Sequence, residues 1–206
     1  MNKIVATKVE IFYKKRIADI ILSAGFFLIS AALIYPLAAF LIWLNGSIND
    51  KARGPIMFIQ DRVGLHGKVF KMYKLRTMEV EPTDGGRKNL TTIGYILRKW
   101  HLDEFPQLWN VLKGEMSMVG PRPIPEKLDI MLAKKYQGWN ARKNILPGLT
   151  SEGVLKNSDK QHDDLWLAED INYIKNESLY LYFKAIADTI KYFFRSSRYA
   201  TYRIDE

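Results

Sequence analysis

The chain has 206 residues, a formal net charge of +9 and no cysteine. That length is about one domain, and the absence of thiols excludes a disulfide framework, a cysteine nucleophile and a Cys-ligated zinc site. The basic excess suits nucleic acid, an anionic membrane or phosphorylated substrates; an aromatic content of 13%, dense toward the C-terminus, favours the membrane interface, where amphipathic rings settle.

From Ile17 to Leu44 the only charged residue is Asp19. A run of this length predicts a membrane helix. It outlasts the apolar core of a signal peptide, and Asn45-Gly46-Ser47 leads into charged sequence without a cleavage pattern. Pro36 lies inside the run, and proline kinks or ends a helix. Beyond it residues 37–44 supply only about 12 Å of helix, against a hydrocarbon core of about 30 Å. Lys3, Lys8, Lys14, Lys15 and Arg16 precede the run; Lys51, Arg53, Arg62 and Lys68 follow it. Basic flanks belong in the cytoplasm, and here both qualify. A helix that enters, bends at Tyr35-Pro36 and returns to the same face satisfies both flanks. A kinked span with its N-terminus outside is the second reading the residues admit.

Residues 55–60 and 69–76 predict two strands of a hairpin, with Gly64 and Gly67 marking the turn. Alternation puts Lys71, Tyr73 and Leu75 on one face and Met72, Lys74 and Arg76 on the other. That second face is either solvated or a basic binding surface. Residues 79–90 predict a loop, and Thr91 or Thr92 caps a helix over 93–100. In residues 101–114, Asp103 precedes an apolar-periodic run, Pro106 falls in its first turn and Gly114 stops it. This predicts one helix with Asp103 and Glu104 at its N-terminus. There the two acids are ordinary caps or neighbours of an anion site. Gly120-Pro121-Arg122-Pro123 makes a rigid turn that aims Arg122, a residue suited to bidentate phosphate contacts. Residues 124–143 predict a helix and 147–164 a loop-rich stretch. Two aromatic amphipathic helices follow, near 164–176 and 178–195, which pack on the core or lie in the membrane interface. Residues 196–206 predict a frayed tail.

The stretch from Asp103 to Pro123, Asp-Glu-Phe-Pro-Gln-Leu-Trp-Asn-Val-Leu-Lys-Gly-Glu-Met-Ser-Met-Val-Gly-Pro-Arg-Pro, closely resembles the signature of the bacterial sugar transferases called monotopic phosphoglycosyl transferases. Phe58 to Gly64 and Phe70 to Met78 are similar to the two strands of that family's hairpin, Arg98 falls where it keeps an arginine, and the apolar segment with an internal proline matches its re-entrant helix. The resemblance covers residues 14–195. It implies an α+β fold: a membrane-inserted re-entrant segment in residues 1–50, and a catalytic domain in 51–206 with a small β-hairpin and interfacial amphipathic helices. It also implies transfer of a phosphosugar from a UDP-sugar to undecaprenyl phosphate at the cytoplasmic face of the bacterial inner membrane, with release of UMP, as the first membrane step of surface glycan or glycoconjugate synthesis. Asp103 is then the nucleophile that carries a covalent phosphosugar. Asp103 and Glu104 hold Mg2+, or Glu104 positions the attacking group, and Arg98, Arg122, Lys74 and Arg76 bind phosphate.

Three features depart from the family pattern. Tyr35 stands where relatives often carry Ser before the proline, and the apolar segment ahead of Pro36 is about one turn longer than in the smallest relatives. Leu146-Pro147-Gly148-Leu149-Thr150-Ser151 and the loop at residues 156–160 lack two arginines, for which Lys156 or Lys160 is a candidate substitute. A homo-oligomer is compatible with all of this. The rival reading is a non-catalytic monotopic module that binds phosphorylated lipid or a partner. It accounts for the charge, the rings and the apolar segment, but leaves the acidic pair and the arginine turn unused. Nucleic-acid binding accounts for the charge alone, and no nucleic acid is expected as a partner.

Overall fold

The computed structural model describes residues 2–80, 89–157 and 163–195. The apolar segment is helical almost throughout: α1 (Asn2–Ile29), a π-helical stretch (Ser30–Ile34) and α2 (Tyr35–Ile48). Pro36 widens the helix and does not end it. Proline has no N–H, and its ring collides with the carbonyl four residues earlier in a regular α-helix. A π turn relieves both problems, with the Tyr35 N–H reaching back five residues to the Ser30 carbonyl. The Ser30 hydroxyl in turn donates to the Phe27 carbonyl at 2.9 Å, and the Tyr35 ring packs edge-on against Phe27. In place of the expected bend at Tyr35-Pro36 the helix runs on, and the backbone adjustment is confined to the π turn that precedes the proline.

One long face of this helix is apolar and exposed. Leu28 and Leu33 are each 68% exposed, and Phe40, Trp43 and Ile48 continue the surface. An exposed apolar strip of this extent needs lipid or protein to cover it, and Val9–Ile48 is long and apolar enough to cross a membrane by length and composition.

The opposite face is locked to the rest of the molecule by three charged side chains within two turns. The Lys15 ammonium pairs with Glu177 and lies over the Tyr173 and Tyr182 rings, at 5.3 and 5.6 Å. Arg16 donates to the Val111 and Leu112 carbonyls at 2.6 and 2.8 Å, where the end of α4 (Gln107–Lys113) needs a cation. Asp19 is fully buried. Its Oδ1 accepts from the Tyr182 hydroxyl at 2.7 Å, the Met118 N–H at 2.8 Å and the Ser117 hydroxyl at 3.0 Å. Burial, together with Asp19, pushes the Tyr182 phenol above its usual value and keeps it a donor.

The hairpin is present: β1 (Met57–Val63) pairs antiparallel with β2 (Val69–Leu75), from Met57 opposite Leu75 to Val63 opposite Val69. Its turn needs left-handed backbone at His66 and Gly67. Phe70 and Met72 face a core with Leu108, Val111, Met116, Val119 and Tyr182. A second cluster joins Ala38 and Ile42 of α2 to Leu75 and to Leu97 of α3 (Thr92–Lys99), whose Thr91 cap accepts from the Gly94 N–H at 2.9 Å. Asn110, fully buried, staples α4 to β2: its amide donates to the Lys71 carbonyl at 2.7 Å and its oxygen accepts from the Tyr73 N–H at 3.3 Å.

Several predicted elements change. The helix expected over 103–114 is a 3₁₀ turn (Leu102–Glu104) followed by α4, so the acidic pair lies one turn ahead of the α-helix and not at its N-terminus. Pro106, without an N–H, sits at the junction as the helix cap. The arginine turn is preceded by a strand, β3 (Ser117–Val119), parallel to β4 (Gly148–Thr150) in the stretch read as loop. That stretch also holds α6 (Glu152–Asn157). Glycine is required where these strands meet, because a Cβ on Gly148 would lie 2.0 Å from the Gly120 nitrogen. The helix expected over 124–143 divides into α5 (Glu126–Lys135) and a 3₁₀ stretch (Trp139–Asn144), separated by left-handed Gly138. The two C-terminal helices stand as α7 (Asp163–Lys175) and α8 (Leu179–Arg195). Most of the 79–90 loop, Lys160, the side chain of Lys156 and the 196–206 tail lie outside the described residues.

Asp19→Ala orphans three buried donors, each worth about 1–3 kcal/mol when left unpaired. We expect it to lower the unfolding free energy in detergent by about 2–4 kcal/mol, with Asp19→Asn, which keeps an acceptor oxygen, costing less. Equal and small losses for both variants by chemical denaturation would contradict the role given to Asp19.

Candidate active site

Three elements bring Lys74, Glu104 and Arg122 together, whereas Asp103 and Arg98 do not line the cleft that these three form. Lys74 comes from the inner face of β2, in line with buried Met72. Glu104 comes from the 3₁₀ turn, and Arg122 from the turn after β3. Lys74 Nζ lies 2.8 Å from Glu104 Oε1, and an Arg122 terminal nitrogen lies 3.5 Å from the same oxygen. Lys74 and Glu104 are 16% and 17% exposed at the side chain, so the hairpin's basic face is not a solvated one at this position. Together with Gln107 and Gly148 they line a narrow cleft.

Asp103 is 6% exposed. Burial pushes its carboxyl above the ordinary aspartate value and the adjacent Glu104 charge adds to this, while Lys74, Arg98 and His101 pull it back. Glu104 moves the other way. Burial alone raises its carboxyl too, but the Lys74 ammonium and the Arg122 guanidinium outweigh that and hold it well below the carboxylate range. Two neighbouring acids are thus driven apart, the pattern by which one fold assigns different tasks to like groups.

The supports of these residues were only partly visible in the sequence. Arg98, predicted for phosphate, donates to the Thr77 hydroxyl at 2.9 Å while its charge reaches Asp103. Arg142 was not singled out. It pairs with Asp170 at 2.8 Å, stacks on Trp139 and donates to the Arg122 carbonyl at 2.8 Å, and so fixes the turn that carries Arg122. His101 adopts left-handed backbone with φ of 53°, uncommon for a residue with a side chain, and this turns the chain from α3 into the acidic pair. Asp19 did carry a signal, as the lone charge in an apolar run. Arg76, the remaining phosphate candidate, packs beside Gly54 and Val80 and does not line the cleft with Lys74, Glu104 and Arg122.

Among the described residues no group of three or more His, Cys, Asp or Glu side chains gathers as a metal cage. The donor set is two adjacent carboxylates. That suits magnesium, which takes oxygen ligands and fills most of its shell from water and substrate phosphate.

Comparison with known proteins gives this arrangement its class. The model of the family described as "Bacterial sugar transferase" matches residues 10–196, and the chain belongs to that family. It is 34% identical over 196 residues to a UDP-glucose:undecaprenyl-phosphate glucose-1-phosphate transferase of Caulobacter vibrioides, covering 89% of this chain and 70% of that one. A Klebsiella pneumoniae protein with the same name is 32% identical over 198 residues, covering 90% of this chain and 41% of its own length. A putative undecaprenyl-phosphate N-acetylgalactosaminyl 1-phosphate transferase of Bacillus subtilis is 42% identical over 143 residues, covering 66% of this chain and 70% of that one. The chain thus spans less than half of the Klebsiella relative and most of the other two.

Glu104→Gln removes the negative charge that raises Asp103 and leaves Lys74, Arg98 and His101 to lower it. In metal-free buffer the Asp103 titration midpoint, followed by carboxyl carbon NMR, is expected to fall in this variant. A midpoint that stays or climbs would show that the two acids do not share one field.

Proposed function

We propose that the protein transfers a sugar 1-phosphate from a UDP-sugar to undecaprenyl phosphate, in two steps through a covalent phosphosugar on Asp103. The observation that carries this is the pairing of a buried aspartate with a glutamate clamped between Lys74 and Arg122. The relatives' names give the substrate classes. In the first step an Asp103 carboxylate oxygen attacks the sugar-bearing phosphorus. The bond from that phosphorus to the bridging oxygen breaks, and UMP departs with the oxygen and its electron pair. In the second step a phosphate oxygen of the lipid attacks the same phosphorus, and Asp103 leaves as a free carboxylate. Splitting one displacement into two lowers each barrier.

Phosphoryl transfer demands charge neutralisation and alignment more than bond-making by the protein. Lys74 and Arg122, which converge on Glu104, are the cations that would neutralise the non-bridging oxygens, and Arg142 donates to the Arg122 carbonyl and steadies that turn. Arg98, Lys74 and His101 favour the ionised form of Asp103 that attack requires, against the burial that opposes it. Magnesium held by Asp103 and Glu104 would supply further neutralisation of the diphosphate.

A lipid acceptor requires the site to stand at a membrane surface, and the packing of the long helix supports a re-entrant path. Its first half touches the body as far as Phe27, whose ring lies 5.7 Å from Trp109. Its second half packs again from Ala38. Residues 28–37 between these points supply about 15 Å of helix, half of a hydrocarbon core. A full span would drag the charged body into the bilayer, at a high cost for each buried charge. The basic flanks then put both ends, and the site, on the cytoplasmic side.

Release of UMP from a panel of UDP-sugars, measured in nanodiscs with undecaprenyl phosphate and magnesium, tests the chemistry. Turnover that needs lipid and metal, vanishes in Asp103→Asn and leaves a phosphosugar adduct on Asp103 by mass spectrometry is the expected result; full turnover by Asp103→Asn would sink the mechanism. Because the chain has no cysteine, topology is open to single-cysteine labelling. Cysteines replacing Tyr13 and Arg53 should both react from the cytoplasmic face, whereas labelling of position 13 from the opposite face would establish a span.

A further inference from the structure

Gln107 opens α4, three residues after Glu104. Its side chain is buried, with 3% exposure, and its amide nitrogen Nε2 has no hydrogen-bond partner. The same side chain forms part of the wall of the cleft that Lys74, Glu104 and Arg122 line. Asn110, one turn further along α4, shows the contrast: its buried amide donates to the Lys71 carbonyl and to Glu115, both at 2.7 Å. A buried donor with no acceptor costs the full loss of its hydration, and native proteins keep few of them. One that persists beside two cations, in the wall of a cleft, marks a place where an acceptor arrives with the ligand. Lys74 and Arg122 fix the sign of that ligand as an anion. Among anions, a phosphoryl group offers several oxygens at once, enough for two cations and a neutral amide together.

We infer that the Gln107 amide donates a hydrogen bond to a non-bridging oxygen of the phosphoryl group in transfer. The inference rests on the transfer reading above and adds to it a neutral donor that cannot titrate away. Such a donor matters most when negative charge builds on the oxygen in the transition state, and removing one donor of this kind costs about 10²-fold or more in kcat.

Gln107→Met is the test, because methionine keeps the length and bulk but has no donor. We expect kcat for UMP release to fall about 10²-fold and KM for the UDP-sugar to rise by up to about tenfold, as the bound diphosphate also loses the donor. The Tm should hold or rise, since an orphaned buried donor has been removed. Affinity for inorganic pyrophosphate with magnesium, by calorimetry, should weaken about tenfold. A purely structural glutamine gives another pattern: Tm falls, and pyrophosphate binds as before. That pattern, or a wild-type kcat in the variant, overturns the inference. Gln107→Asn, which draws the amide back by one methylene, replaces Gln107→Met if that variant does not fold, and is read by kcat and pyrophosphate affinity alone. If the wild-type protein turns over no donor, the transfer reading fails on its own. The pyrophosphate measurement then still decides whether the amide meets a phosphoryl oxygen.

Discussion

Everything in this molecule hangs on one buried carboxyl group in an apolar helix. Asp19 has its acceptor oxygen in contact with donors from β3 and α8, elements separated from it by about a hundred residues or more of chain. A polar group on a lipid-facing helix is expensive unless it is satisfied, so the helix can lie in only one register against the body. Arg16 at the end of α4 and Lys15 on Glu177 reinforce that register a turn earlier. The register of the helix therefore also fixes the position of the site relative to the apolar strip, since β3 leads straight into the turn that carries Arg122.

The site itself is built by opposing two electrostatic tendencies. Burial makes both acids reluctant to ionise, and the two cations around Glu104 overcome this for one of them only. Glu104 remains charged and fixed, a partner for cations. Asp103 is left with the higher affinity for a proton. The scaffold that maintains the difference is rigid: Asn110 clamps α4 to β2, Arg142 clamps the Arg122 turn, and the glycine contact between β3 and β4 admits no side chain.

The long helix shows how local rules and packing share a decision. Pro36 guarantees a disturbance in the helix, whatever surrounds it. The disturbance takes the form of a π turn, at whose start the Ser30 hydroxyl donates to the Phe27 carbonyl. The longer apolar stretch and Tyr35 are thus accommodated within one helix, with Phe27 and Tyr35 packed across the widened turn.

Sequence alone determined what one-dimensional patterns can encode. The apolar run, the hairpin with its glycine turn, the Thr91 cap and the two C-terminal amphipathic helices follow from period, punctuation and capping, because those signals act within a few residues. The acidic pair and Arg122 were legible for a different reason: their motif is dense and specific. Tertiary structure decided the rest. Parallel pairing of β3 with β4 joins segments about thirty residues apart and leaves no local trace, so the second strand read as loop. Pro106 could stand inside a helix or cap it, and only the packing of the Leu102–Glu104 turn against β2 selected the cap. Lys74 and Arg76 look alike on one strand face, yet one meets Glu104 and the other packs at Gly54. Alternation assigns a face; which neighbours that face meets depends on the elements folded against it.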